Sequence, residues 1–471
     1  MKKMYKLLRK ITLLLFIGAI SGCIAFNSSV PVVSVKESEH LSSSTLSPLV
    51  TTNALSKNPE PLTLACAVEY ALASNPGLSA RRHEINAADA EYSMAFSTLL
   101  PKIDLAGSLS YFRDERLITP RRSGTSEVLQ FTDQQLAGDV IVRMPLFTGG
   151  RLINEVKAAK LLYTASKYSL ARNREELIFN VTSVFYSILA QRHTIEALKF
   201  SQETLQEHHK RVGELIQAKK AAKVDLLRTE VRLADLEQRQ VRERNMLAIK
   251  NRLLANLMGV PGSASERRAI TGRLEANEES VPEMEQSFHN ALLQRPDYRA
   301  AQTALDAQRR KVKAAKALRW PTLSLLGSYG TRVDAHETSE DNETGMIMLG
   351  MNIPVFSGGY ISAKIKKEQS IHSAALDKLN QLELQIQLDA ETAILNIGSS
   401  YERVQSTGKS IRQAKESLRI EREKYAFAKG SITDVLDAQS ALLNAQMNYY
   451  NSLAAYKTAQ AQYILAIGET Q

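Results

Sequence analysis

The segment Pro145-Leu146-Phe147-Thr148-Gly149-Gly150 recurs 209 residues later as Pro354-Val355-Phe356-Ser357-Gly358-Gly359. The same offset pairs Val224-Asp225-Leu226-Leu227 with Thr433-Asp434-Val435-Leu436, and Leu257-Met258-Gly259 with Ala466-Ile467-Gly468. Upstream, an offset of 220 pairs Ala71-Leu72, Pro76 and Pro101 with Ala291-Leu292, Pro296 and Pro321. A unit near 200 residues is too long for a solenoid repeat. It points instead to a duplicated half-structure, and to a function built by both halves together.

Each copy changes periodicity at the same landmarks. Between its two prolines lies an Ala-rich, charged stretch with few breakers, which predicts helix; Asn75-Pro76 and Arg295-Pro296 start or break it. After Pro101 the period becomes two: Ile103, Leu105, Gly107, Leu109 and Tyr111 alternate with polar or small residues. Leu323, Leu325, Gly327 and Tyr329 do the same after Pro321. Leu136, Gly138, Val140, Val142 and Met144 precede Pro145, and Ile347, Leu349, Met351 and Ile353 precede Pro354. These patterns predict four strands of about ten residues with one apolar face, the length of a membrane-crossing β-strand. A soluble antiparallel sheet on a core fits the strands taken alone. The first hairpin loop is expected at 113–133 and the second at 334–344.

Each Gly-Gly then opens a stretch of about 70 residues without proline, or roughly 100 Å of helix. A return leg of about 35 residues follows, 224–258 and 433–467. Leu436, Ser440, Leu443, Met447, Tyr450 and Ala454 form a seam at spacings of three and four. The break at Gly259-Val260-Pro261-Gly262 suggests that each return leg is completed by the helix preceding the next strand.

The N-terminus reads as an address. Five Lys or Arg and no acid fall within residues 1–10, followed by an apolar run from Ile11 to Ile20. This is an n-region and h-region, too short to span a bilayer comfortably. Ile20-Ser21-Gly22-Cys23 then resembles the bacterial lipoprotein processing box, with Cys23 acylated, and Ile24 after it favours the outer membrane. Residues 24–58 read as a tether. The resulting boundaries are 1–22 signal peptide, 23–58 acylated tether, 59–262 first repeat, 263–283 linker and 284–471 second repeat. Cys66, the other cysteine, lies in an apolar stretch and is expected to be buried.

The composition excludes more than it specifies. Much of the +10 charge sits in the first ten residues, so nucleic-acid binding is not supported. The eight histidines are dispersed, and His208 and His209 cannot share a helix face. No Walker loop or triad signature appears, so neither an enzyme nor a resident metal or cofactor is expected, apart from a covalent lipid on Cys23.

Together, the processing box, the Pro-bounded strand pairs, the Pro-x-Phe-x-Gly-Gly junctions and the run Asp434-Val435-Leu436-Asp437-Ala438 resemble the TolC-like outer-membrane efflux proteins. The resemblance runs from Leu62 to Gly468. It implies an α+β membrane protein: a homotrimer whose chains each give four strands to a twelve-stranded β-barrel in outer-membrane lipid. The barrel would continue as a long periplasmic α-helical barrel, with an internal two-fold repeat. The implied function is an exit duct for efflux or type I secretion, working with a periplasmic adaptor and an inner-membrane pump. The alternative is the adaptor lipoprotein itself, which should carry a lipoyl-like β-domain around a single hairpin.

The resemblance also implies site residues. Pro145, Gly149, Gly150, Pro354, Gly358 and Gly359 mark the barrel–tunnel junction, with Phe147 and Phe356 beside it. Tyr425, Asp434 and Asp437 stand where family members close the tunnel, with Asp225 the first-copy counterpart of Asp434. Gly430 occupies the position of an expected Arg, and Ala428 that of the usual tip Gly. Asp225 and Asp434 also suit helix capping. Lys220, Lys223 and Ser431 are candidate adaptor contacts, or simply solvated tip residues.

Overall fold

The computed structural model describes residues 61–118, 131–219, 221–261, 270–277, 284–334, 342–427 and 429–469. Cys23, the signal peptide and the tether lie outside the described residues. Pro59–Gln471 forms one unit.

Thr63 accepts a hydrogen bond from the Cys66 amide and starts α1, Leu64–Ser74. Asn75 caps α2, Pro76–Ser97, whose proline occupies the first turn, where no amide donor is needed. Two strands follow, β1 at Lys102–Leu117 and β2 at Phe131–Phe147. Next come α3 at Arg151–Gln217 and α4 at Lys223–Leu257. The same succession then runs through α5 at Met284–Gln294 and α6 at Pro296–Ala317. It continues with β3 at Thr322–Asp334, β4 at Asn342–Asn352, α7 at Tyr360–Ala426 and α8 at Ile432–Ile467. Helices α3 and α7 are each 67 residues, and α2 and α6 are each 22.

The strands form an antiparallel meander in the order β1-β2-β3-β4. They run longer than the expected ten residues: 16, 17, 13 and 11. The alternation identified only the apolar stretch. The ladder continues past it through a bulge between Tyr111 and Arg116, where extra residues on β1 oppose β2. Part of the stretch expected as the first loop, Arg113–Leu117 and Phe131–Asp133, is therefore strand.

Four buried clusters hold the helices among the described residues, the smallest around Leu418, Val435 and Ala438. Leu177, Val181, Phe185, Ile188 and Leu189 of α3 pack with Ala67, Ala71, Leu78, Leu254 and Met258. Farther along α3, Leu198, Leu205 and Val212 meet Leu236, Ile432, Leu436 and Leu443. Ile397 and Val404 of α7 close on Leu453 and Tyr456 of α8. Each fully buried Leu, Ile or Phe stabilises by about 1.5–3 kcal/mol. The seam expected along α8 holds: Leu436, Leu443 and Ala454 are buried, and Ser440, Met447 and Tyr450 half-buried.

Two expectations are corrected. Cys66 is exposed, because α1 turns Ala67 and Ala71 inward and leaves the thiol on the far face. The return legs also join different helices from those expected. At the end of α4, Gly259 has φ +69°, and a Cβ there would lie 2.3 Å from the Ser74 carbonyl oxygen. The Asn75 amide donates to the Leu257 carbonyl at 2.8 Å. Helix α4 therefore abuts the α1–α2 corner of its own copy rather than the helix before the next strand. Likewise α8 abuts the α5–α6 corner: Gly468 has φ +72°, and its Cβ would sit 2.8 Å from Arg295 Cα. Only glycine tolerates both the left-handed backbone and this approach.

Candidate functional site

The ladder register builds a continuous apolar face. Ile103 faces Val142, Leu105 faces Val140 and Leu109 faces Leu136. Val142 then faces Gly327 and Val140 faces Tyr329, while Gly327 faces Ile347 and Leu325 faces Leu349. This face is exposed in the chain: Leu105 is 81% and Ile347 83% accessible. The opposite face carries ion pairs, Arg143–Asp104 at 2.5 Å and Arg332–Asp139 at 2.7 Å. A sheet with solvent-sized apolar exposure on one side and charge pairs on the other suits lipid outside and water inside.

The junction turns are left-handed in both copies. Gly149 and Gly150 have φ +61° and +80°, and Gly358 and Gly359 have φ +57° and +83°. Gly150 and Gly359 are the N-caps of α3 and α7. Pro145 lies in β2 opposite Ser324, beside an irregularity that ends at Phe147; Pro354 lies past the end of β4. The surroundings differ. A Cβ at Gly149 would lie 2.5 Å from Trp320 Cβ and 2.9 Å from the Ala317 carbonyl oxygen, whereas at Gly358 nothing lies within 4 Å. Phe356 is 90% exposed.

The structure brings most of the tip residues together. Tyr425, in the last turn of α7, packs among the cores around Leu205 and Leu418. Its ring lies 5.5 Å from that of His208. The Tyr425 hydroxyl and His208 Nε2 are both buried without a hydrogen-bond partner. Burial, helped by the Asp225 charge, raises the Tyr425 phenol. Burial, helped by Arg422 and Arg211, pushes His208 down to about 4. Asp434 has a defined role: its carboxylate accepts from the Ser431 amide at 3.2 Å, completing a capping box at the start of α8. Asp437 is exposed one turn on. Asp225 lies in the first turn of α4, whose N-cap Ala222 makes no side-chain cap. Gly430 is tightly placed, since a Cβ would lie 3.0 Å from Lys424 Cβ. Lys223 is exposed at the start of α4, while Lys220 and Ala428 lie outside the described residues. Arg228 donates to Thr433 Oγ1 at 3.2 Å, tying the two tips together.

Sequence reasoning missed one polar centre. Arg295 is 2% exposed. It donates to Asp297 at 2.7 Å, to Asp389 at 3.0 Å and to the Ala466 carbonyl at 3.3 Å. Arg172 joins through Asp297 at 3.7 Å and also holds Glu175, Glu176 and the Leu465 carbonyl. Burial works against the charged Arg295, but its bonds to Asp297 and Asp389 win and hold its pKa raised. Burial likewise works against ionised Asp297, and Arg295 outweighs it, so the carboxyl is held below its usual range. The cluster joins α3, α6, α7 and the C-terminus of α8. Only its symmetry with Asn75, which occupies the matching corner, could have singled out Arg295 in the sequence.

The chain matches the family model for outer membrane efflux proteins over residues 67–260 and 288–469. It is 23% identical to the outer membrane protein TolC of Escherichia coli K12, across 85% of this chain and 81% of that protein. It is 21% identical to the probable outer membrane lipoprotein SilC of Salmonella typhimurium, across 84% of each. The Campylobacter jejuni outer membrane channel CmeC has the same fold, with a TM-score of 0.76 at 20% identity, covering 86% of this chain and 85% of that one. The family match spans both long hairpins and all four strands, and the chain belongs to the outer membrane efflux protein family.

Proposed function

We propose that this outer-membrane protein is the exit duct of a tripartite export system, a passive passage that receives cargo from an inner-membrane pump through a periplasmic adaptor. In this reading three copies join β4 of one to β1 of the next, closing a twelve-stranded barrel. Their helices continue it as a tunnel, each chain contributing two equivalent halves. A lipid on Cys23 anchors each chain.

One observation carries the reading. The sheet has an apolar outer face, yet β1 and β4 are edges within the chain. Unpaired edges are not tolerated in a bilayer, so further strands must close them. The junctions support this independently. Gly149 is packed against Trp320 while Gly358 faces open space. In a closed ring Leu100 of the next copy, at the position matching Trp320, would fill that space. The adaptor alternative has no support: the chain belongs to another family, and its described strands form one meander between two hairpins rather than a lipoyl-like domain around one.

The test compares arginine on the two sheet faces. Leu105→Arg and Ile347→Arg should each cost about 2–4 kcal/mol in lipid and deplete heat-modifiable trimers from outer membranes. Ser328→Arg, on the ion-paired face, should leave them. Equal trimer yields for Leu105→Arg and Ser328→Arg would sink the barrel reading. Cys23→Ala should abolish incorporation of labelled palmitate.

A further inference from the structure

Beside the ion-pair cluster, α3 and α8 flank a half-open cavity of about 240 Å³. One face of α3 lines it through Glu175, Phe179, Thr182 and Tyr186, and α8 contributes Ile464. The spacings of four, three and four put these α3 side chains on a single stripe. Glu175 is 7% exposed. Its Oε2 accepts from Arg172 at 3.3 Å, while its Oε1 is buried with no hydrogen-bond partner. A carboxylate oxygen removed from water and left without a donor is costly, and such groups in native structures call for an explanation.

We propose that this cavity binds a small organic ammonium ion, its charged head on Glu175 and its apolar body along Phe179 and Ile464. The chemistry of the wall selects that class. A hard metal ion needs six or more oxygen ligands, and this wall has one buried carboxylate, Glu175, among mainly apolar groups. A guanidinium prefers both oxygens of a carboxylate, and Arg172 already holds one. A primary ammonium needs only one carboxylate oxygen, and its remaining donors can reach the Thr182 hydroxyl on the same stripe. The aromatic ring of Phe179 suits the body of a phenylalkylamine. At the rim Glu469 adds negative charge, and Lys457, poised over the Tyr456 ring at 5.8 Å, is the one lining cation. The lining is therefore net acidic. Burial raises Glu175, with Arg172 opposing it. Ammonium binding thus favours the ionised carboxyl and should strengthen as pH rises through the raised folded value of Glu175. The site stands apart from the duct reading, since it lies between helices of a single chain.

The experiment is calorimetric titration of the purified full-length protein in detergent with phenethylamine, and with uncharged 2-phenylethanol as control. The wild type should bind phenethylamine saturably and show no saturable binding of 2-phenylethanol. Glu175→Gln should weaken binding about tenfold or more, and Ile464→Trp, which fills the cavity without touching the ion pairs, should abolish it. Absence of saturable binding by the wild type would overturn the proposal, as it would if Lys457 were already the counter-ion of Glu175. Unchanged affinity in Glu175→Gln, or equal binding of 2-phenylethanol, would also overturn it. If Glu175→Gln does not fold, Ile464→Trp decides: undiminished binding there refutes the site.

Discussion

Replacing Arg295 by Met tests whether the polar centre at the α5–α6 corner secures the helices. Methionine keeps much of the aliphatic stem but removes every donor. Asp297 and the Ala466 carbonyl then lose a buried partner, and Asp389 loses one at a more exposed site. Removing one member of a buried pair costs about 3–5 kcal/mol. The Asp389 arm contributes the smaller share, because its side chain is 34% exposed. The expected loss is therefore about 3 kcal/mol at neutral pH, near the lower end of that range. It is read as the shift in urea midpoint of the helical circular-dichroism signal in detergent, multiplied by the shared denaturant slope.

The double variant Arg295→Met/Asp297→Asn removes the stranded charge along with its partner. It should be more stable than the sum of the single losses predicts, by at least about 1 kcal/mol. The pH dependence has a definite sign. Asp297 has a depressed folded pKa, so its contribution is present above the unfolded value near 3.8 and is lost as pH falls through the folded value. In Arg295→Met only Arg172 and the Tyr298 amide still oppose burial at Asp297, so its depression shrinks and the gap between wild type and variant narrows on acidification. Additive single losses, or a gap that widens toward acid pH, would refute the reasoning.

Four further outcomes follow from the geometry. Gly149→Ala and Gly358→Ala share a backbone strain of about 1 kcal/mol, but only Gly149 has a neighbour within the chain. If the next copy fills the second site, both variants should lower the melting point of assembled trimers comparably, and a clearly milder Gly358→Ala would refute that closure. Ser431→Ala should cost about 1 kcal/mol through loss of the cap, read by hydrogen exchange at the start of α8. Comparing cation selectivity of Asp434→Asn and Asp437→Asn pores in planar bilayers separates capping from lining, since a residue that only caps leaves selectivity unchanged. His208, held near 4 in the fold against about 6.5 unfolded, binds its proton more readily when unfolded. Tip stability should therefore fall as pH drops from about 6.5 toward 4, with Arg211 and Arg422 opposing protonation. His208→Phe should flatten that slope, measured by exchange at the end of α7.

The long helices were legible because each lacks proline and begins at a glycine pair, and the sheet because its alternation survives in register across all four strands. Strand length was less legible: beyond Tyr111 the residues are polar and charged, and the ladder continues by backbone bonding that side-chain pattern does not encode. The outward turn of Cys66 depended on which side of α1 met Phe185 and its neighbours, a tertiary choice. The joining of α4 to the α1–α2 corner required knowing that Gly259 and Ser74, far apart in sequence, are in contact. Arg172, Arg295 and Asp389 were equally opaque, each a common charge on a helical stretch until the fold brought them together. At the tip, Asp434 was readable as a cap from Ser431-Ile432-Thr433-Asp434 alone, whereas the burial of His208 against Tyr425 was not.

The two open sheet edges bear on how the protein is made. A lone chain already holds buried clusters among its helices, which give them a packed state in water even with residues such as Val231 and Leu395 still bare. Its strands have no comparable resting state, in water because the apolar face is bare and in lipid because the edges are unmet. Insertion should therefore wait for encounter between chains and rise steeply with their concentration. Helix folding and membrane entry become separable steps, and tethering chains at one surface would speed the second by raising their local density without changing a single contact in the finished structure.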